Sequence, residues 1–219
     1  MTKVRSDSST RRILFQVHLW VGLAVGLYVF VISLSGSLIV FRRELDRALC
    51  AGCEPAFVTW MAEFHDHLGG GRTGLLVNGV GAVVVIVMCV TGAVIWWPGK
   101  TRWRRSLVLH RHDGARRFIW DLHNVLGFWL LLLILMWALT GLYFAFPNLF
   151  YVLVDHLTVD GRETAASLSM EDAIAWVVRL HFGRAFGPWI EALWVILGLA
   201  PCVLFVTGVL MWCNRVLRN

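Results

Sequence analysis

Four histidines of this chain, His18, His65, His123 and His181, fall within or beside long apolar runs. An imidazole placed in a membrane is costly unless its ring nitrogens are engaged. The same side chain can hydrogen-bond a neighbouring helix, relay a proton or ligate a metal. Spacing helps to choose among these. Aligning His18 with His123 sets an ungapped offset of 105, at which Arg11–Arg12 meet Arg116–Arg117. Gly22 then meets Gly127, Ser35–Gly36 meet Thr140–Gly141, and Phe41 meets Phe146. A second ungapped register, with an offset of 116, pairs His65 with His181 and "TGAVIW" at Thr91 with "TGVLMW" at Thr207. Two registers that both carry His and Ser/Thr-Gly mark an internal repeat.

The repeat predicts geometry. His18 and His123 belong at the cytoplasmic ends of the first and third apolar runs. His65 and His181 belong at the opposite ends of the second and fourth. At 1.5 Å per helical residue, His18 to Ser35 covers roughly 25 Å, so the Ser/Thr-Gly pairs of the first and third helices lie level with His65 and His181. Those of the second and fourth, Thr91–Gly92 and Thr207–Gly208, fall about one turn before Trp96 and Trp212, near His18 and His123. Each level thus combines two facing histidines with two glycine notches: Gly92 and Gly208 at one, Gly36 and Gly141 at the other. A flat macrocycle held by two axial imidazoles needs such a site, with Gly22 and Gly127 clearing further room. Haem iron with two axial histidines asks nothing more of the protein. The expected cofactor is therefore two b-type haems, one on His18 and His123, one on His65 and His181.

Competing uses of these residues stand beside that one. A membrane histidine alone is commonly a helix–helix hydrogen-bonding group, and small-residue notches are ordinary packing features. A proton relay is the main rival, but the helix midsections hold no Asp, Glu or Lys to carry protons between the levels. Zinc fits less well, because the repeat supplies no third and fourth ligand. Arg12, Arg116 and Arg117 on one side, and Arg72 and Arg184 on the other, could meet haem propionates; interfacial anchoring explains them equally.

The elements that must position these residues are membrane helices. Of 219 residues, 58% are hydrophobic and 16% charged, with a mean hydropathy of +0.68; soluble domains run nearer a quarter charged. Four runs reach the roughly 20 residues that a spanning helix needs: Ile13–Phe41, Leu75–Trp97, Phe118–Phe146 and Ile190–Cys213. The fold class expected is all-α integral membrane. Four transmembrane helices form two tandem-repeated helical hairpins, residues 11–99 and 116–215, in a single membrane domain over 1–219. The hairpins would be related by a pseudo-two-fold along the membrane normal. "MTKVRSDSSTRR" is polar and basic, and the apolar stretch after it is too long for a cleaved signal.

Charge sets the orientation. With both termini and the basic loop 100–115 in the cytoplasm, that side holds thirteen Lys and Arg against Asp7, Asp113 and Asp121. The other side, including the outer loop 147–185, holds seven Arg against eleven acids. N-in, C-in follows. The net charge of +6 reads as an orientation signal, and no nucleic-acid partner is expected. The loop "KTRWRRSLVLHRH" could dock an acidic donor, with anionic lipid as the simpler partner. No Gly-rich nucleotide fingerprint is present, so a cytoplasmic donor would be a separate reductase or a quinol.

The remaining histidines, His67, His110, His112 and His156, break the repeat and read as surface residues, His67 being a reserve ligand two residues from His65. Cys89, Cys202 and Cys213 sit in apolar runs as small hydrophobes. Cys50 and Cys53 form "CAGC" on the outer side, where a disulfide can persist; a redox-active pair is the alternative. Glu54 follows Cys53 in place of the histidine that covalent haem attachment would require. The twelve Trp read mainly as interfacial belts. "SMEDAIAWVVRLH" has an amphipathic period and a Ser169 cap.

Taken together, "HLWVGL", "GRTGLLVNGVGA", "VTGAVIWWPG", "DLHNVLGFW", "TGLY" and "FVTGVLMW" resemble the PepSY-associated transmembrane family, from Arg11 to Arg215. Members include iron-regulated inner-membrane proteins and ferric-siderophore reductases. The resemblance implies a haem-bearing carrier in the bacterial inner membrane that moves electrons from the cytoplasm to a periplasmic ferric acceptor. The family's histidines fall on His18, His65, His123 and His181. Larger members carry bulky periplasmic PepSY domains between their helices, whereas here only Arg42–Arg72 and Pro147–Arg184 stand in those places. A small electron-transfer subunit working beside a periplasmic partner is equally compatible, as is a non-catalytic or assembly subunit of a larger membrane complex.

Overall fold

A computed structural model describes residues 2–49, 56–158, 170–184 and 187–217. Cys50, Cys53 and Ser169 lie outside the described residues, as does the side chain of His156. Among the described residues the chain is helical, with no strand. Its α-helices are α1 (Thr2–Ile39), α2 (Arg42–Leu49), α3 (Ala56–His67), α4 (Gly71–Trp96), α5 (Ala115–Ala145), α6 (Pro147–Thr158), α7 (Met170–Phe182), α8 (Pro188–Gly198) and α9 (Ala200–Val216).

Four stretches are long and apolar enough to cross a membrane: Ser9–Ile39, Gly71–Trp96, Ala115–Ala145 and Pro188–Val216. This is a multi-pass membrane protein. A helix satisfies every backbone N–H and C=O within its own segment, which lipid cannot do for it. The exposed faces are correspondingly greasy: Leu132 is 76% exposed and Leu27 is 61% exposed. In water such surfaces would drive aggregation; against acyl chains they are solvated.

Three expectations need correction. His65 and His181 do not sit on the spanning helices but on the separate helices α3 and α7, which precede them. The breaks are conformational: Leu68, Gly69 and Gly71 take φ values of 51°, 70° and 51°, and Gly183 takes 71°. A left-handed residue stops a helix, and glycine adopts it at least cost. Second, the described parts of the stretches read as outer loops are largely helical: α2, α3 and α6 were not expected, whereas α7 falls on the amphipathic period of "SMEDAIAWVVRLH". Third, the fourth span is two helices interrupted at Leu199, because Pro201 has no N–H to continue the ladder.

Contacts divide the chain into two units. The first comprises Met1–Leu34, Val84–Leu135 and Leu197–Asn219, and holds His18 and His123. Within it α1 meets α9 closely: a Cβ on Gly26 would collide with the Phe205 ring, which also packs edge-on to Phe30 at 6.0 Å. The second comprises Ser35–Val83 and Met136–Ile196, and holds His65 and His181. Here Gly79 of α4 lets Phe146 and Ala145 approach, and Ser37 donates to the Val195 carbonyl at 3.4 Å.

His110 is not a free surface residue. Asp121 of α5, only 2% exposed, accepts the His110 backbone N–H at 3.0 Å and its Nδ1–H at 2.7 Å. Arg117 Nε reaches the other oxygen of the same carboxylate at 3.0 Å. The loop ahead of α5 is thereby tied to that helix.

Candidate functional site

Each of the four histidines finds the same partner type. In the first unit, His18 Nδ1 lies 3.0 Å from Thr91 Oγ1 and His123 Nδ1 lies 2.9 Å from Thr207 Oγ1. In the second, His65 Nδ1 lies 3.1 Å from Ser35 Oγ and His181 Nδ1 lies 2.7 Å from Thr140 Oγ1. The partners are the hydroxyl residues of the four Ser/Thr-Gly pairs, so one type of contact is made four times.

The threonines fix the direction of that bond. A hydroxyl has one proton to give. Thr91 donates it to the Val87 carbonyl, Thr140 to that of Met136 and Thr207 to that of Val203, each at 2.8 Å, the back-bonding habit of helical threonine. The oxygen must then accept from the ring, which places the imidazole proton on Nδ1. With the proton on Nδ1, the Nε2 lone pair is the one available for a metal. No protein hydrogen bond engages Nε2 of His18, His123 or His181 among the described residues.

The notch glycines seat these rings. A Cβ on Gly36 would stand 2.8 Å from His65 Cε1, one on Gly92 3.1 Å from His18 Cε1, and one on Gly208 3.6 Å from His123 Cε1. The sequence had suggested that they clear the edge of a macrocycle; the structure turns three of them toward the histidines instead. Gly141 and Gly127 face open space, with nothing within 4 Å, and Gly22 faces Met88 Cε at 2.9 Å.

His65 and His181 come together, their ring centroids 6.5 Å apart. One ion held head-on by two imidazole nitrogens at about 2 Å each separates the ring centroids by roughly 6 Å. His18 and His123 are electrostatic neighbours in their own unit. Burial, with His65 nearby, pushes the His181 imidazole down to about 3 from its ordinary 6.5, so at neutral pH the ring is neutral and its lone pair is available. No group of three or more His, Cys, Asp or Glu gathers around one point among the described residues. His67, the reserve ligand, lies instead 3.4 Å from Glu63 through Nδ1.

Sequence reasoning missed the residues that aim His65 and His181. Asn78 of α4 donates to the carbonyls of His65 and Asp66 at 2.8 and 3.2 Å, capping α3. Trp137 Nε1 donates to the His181 carbonyl at 3.2 Å and Trp194 Nε1 to that of Leu180 at 3.1 Å, holding α7. Neither tryptophan is merely part of an interfacial belt. The signal for the hydroxyl partners was present, since a Ser or Thr precedes every notch glycine. Nothing in the sequence flagged Asn78.

No curated protein matches the chain. The sequence profile described as the PepSY-associated TM region matches residues 15–54, 51–172 and 159–215. Nearly the whole chain is covered, and it belongs to the family of the PepSY-associated TM region.

Proposed function

We propose that this protein is a di-haem, b-type transmembrane electron carrier, with one haem on His18 and His123 and the other on His65 and His181. One observation carries the reading: all four Nδ1 atoms are tied to a Ser or Thr hydroxyl, and the three back-bonded threonines leave Nε2 of His18, His123 and His181 as the ligating atom.

A bound haem would supply reversible one-electron chemistry, and His18, His123, His65 and His181 would hold it. The chain's part is to bind and orient. Thr91, Thr140 and Thr207 hold the ring tautomer through their back-bonded hydroxyls, and Ser35 holds the fourth ring. Hydrogen bonds of this kind raise ligand basicity and fix ring orientation. Gly36, Gly92 and Gly208 let the rings approach their helices. Asn78, Trp137 and Trp194 fix the two short helices that carry His65 and His181.

In this reading the chain is two tandem hairpins with both termini in the cytoplasm of a bacterium, within the inner membrane. Electrons enter from a separate reductase or a quinol and leave to a periplasmic acceptor such as a ferric siderophore. Reduced-minus-oxidised absorption spectra of the purified protein, with haem extracted and counted, test it. Two b-type haems per chain with low-spin bis-histidine bands are expected. A colourless protein, purified beside a control cytochrome that keeps its haem, would leave the alternative of a non-catalytic or assembly subunit.

A further inference from the structure

Within the first unit, the start of the α1 span and the end of α9 set cations against exposed apolar surface. Residues 1–15 and 200–219 hold six Lys and Arg against a single acid, Asp7. The Arg215 guanidinium carbon lies 5.4 Å from the centroid of Phe15, which brings the end of α9 to the first turns of that span. Arg11 and Arg12 stand four and three residues before Phe15, so on a helix they are its neighbours one turn away. Three arginines from two helices thus stand within about one helical turn of one ring. Arg11 donates to the Ile95 carbonyl near the end of α4. No acid pairs with Arg11, Arg12 or Arg215 among the described residues.

The α1 surface that follows is apolar and open: Ile13 is 61% exposed and Trp20 is 59% exposed. An occupant of this face must therefore offer an anion at the end of the span and hydrocarbon along it. An acidic soluble protein answers only the charge. A phospholipid answers both, since arginines near helix ends reach the headgroup level and the guanidinium fork matches phosphate.

We propose that Arg11, Arg12 and Arg215, arranged about Phe15, form a binding surface for an anionic phospholipid in the leaflet where the α1 span begins and α9 ends. The headgroup meets the arginines and the acyl chains lie along Ile13 and Trp20. Phe15 positions Arg215. The inference is independent of the haem reading.

Native mass spectrometry of the full chain in detergent, titrated with phosphatidylglycerol or with phosphatidylcholine, resolves each lipid as it binds. The first phosphatidylglycerol should bind more tightly than the first phosphatidylcholine. Arg12→Gln/Arg215→Gln should weaken the first phosphatidylglycerol by on the order of tenfold, as for the loss of near-surface cations, and leave phosphatidylcholine unchanged. Arg12→Lys/Arg215→Lys keeps the charge and most of the preference. Arg12→Gln alone removes a side chain with no ion pair among the described residues, so it keeps the fold and should still weaken the anionic lipid several-fold. Arg104→Gln/Arg105→Gln takes the same charge from the exposed loop ahead of α5 and should leave the first phosphatidylglycerol in place. Equal affinity of the wild-type chain for the two lipids would overturn the lipid site. So would an Arg12→Gln/Arg215→Gln chain that binds like wild type, leaving the cations to an acidic protein. An equal loss in the loop pair would overturn it as well, in favour of diffuse attraction.

Discussion

His181 Nδ1 lies 2.7 Å from Thr140 Oγ1, whose own proton goes to the Met136 carbonyl at 2.8 Å. That chain of two hydrogen bonds decides which ring nitrogen is left for chemistry. It recurs at Thr91 with His18 and at Thr207 with His123, so one local rule can be tested at several places.

Replacing Thr207 by Val keeps the shape and removes the acceptor for His123 Nδ1–H. Loss of such a supporting contact typically costs 10- to 100-fold in metal affinity. Thr207→Val, and equally Thr91→Val, should release haem faster by about that factor, while Thr207→Ser should behave as wild type. Competition against apomyoglobin measures it; equal release from the Val and Ser variants would remove the hydroxyl from the site.

The notch glycines predict a graded series. A methyl group on Gly36 meets His65 Cε1 at 2.8 Å, closer than real contacts allow, whereas on Gly92 and Gly208 the distances are 3.1 and 3.6 Å and on Gly141 nothing lies within 4 Å. Gly36→Ala should displace His65 and cost about 1–3 kcal/mol of stability, in line with overpacking elsewhere. Gly92→Ala should be milder, and Gly208→Ala and Gly141→Ala near neutral. Thermal unfolding in detergent with the haem spectrum as a second signal checks the order, and a uniform response across the four would refute it.

Much of this was legible from residue types alone. Four apolar runs of sufficient length fixed the helical membrane class, and two ungapped registers brought out His18, His65, His123 and His181. Two features escaped. Hydropathy counts residues along the chain and is blind to a single left-handed residue, so His65 and His181 were set at the ends of the spans that follow them, although the amphipathic period of "SMEDAIAWVVRLH" already marked α7. The partners of His110 escaped because Asp121 looked like one more charge near a helix start, with nothing local to say that it is buried. Orphan polar groups inside a fold must find partners, but which ones they find is a tertiary fact.

Asp121 gives a prediction independent of any cofactor. Asp121→Ala leaves His110 and Arg117 without their acceptor, and both are partly exposed, at 39% and 47% of the side chain. Water recovers part of the loss, so about 1–3 kcal/mol is expected, with faster proteolysis in the loop ahead of α5. Unfolding curves and limited trypsin digestion report both. Unchanged cleavage would show that the carboxylate does not tie the loop down.

For the haem-free chain, the depressed His181 pKa sets the sign of an acid response. Unfolded, the ring takes a proton near 6.5; folded, it resists until about 3. The unfolded state therefore binds more protons between those values. The contribution of neutral His181 is fully present above pH 6.5 and is lost as pH falls toward 3. Denaturation midpoints measured at intervals across that window should fall with pH, and His181→Gln should flatten the slope. Identical slopes in the two proteins would contradict the burial of a neutral ring.

Most direct of all is the haem count of two paired variants, His18→Ala/His123→Ala and His65→Ala/His181→Ala, measured beside wild type. Two haems in wild type, one in each paired variant with a distinct midpoint potential, and none when all four histidines are replaced is the expected result. Two haems surviving in either paired variant, or none in the wild-type protein, would contradict the assignment of the four histidines as axial ligands.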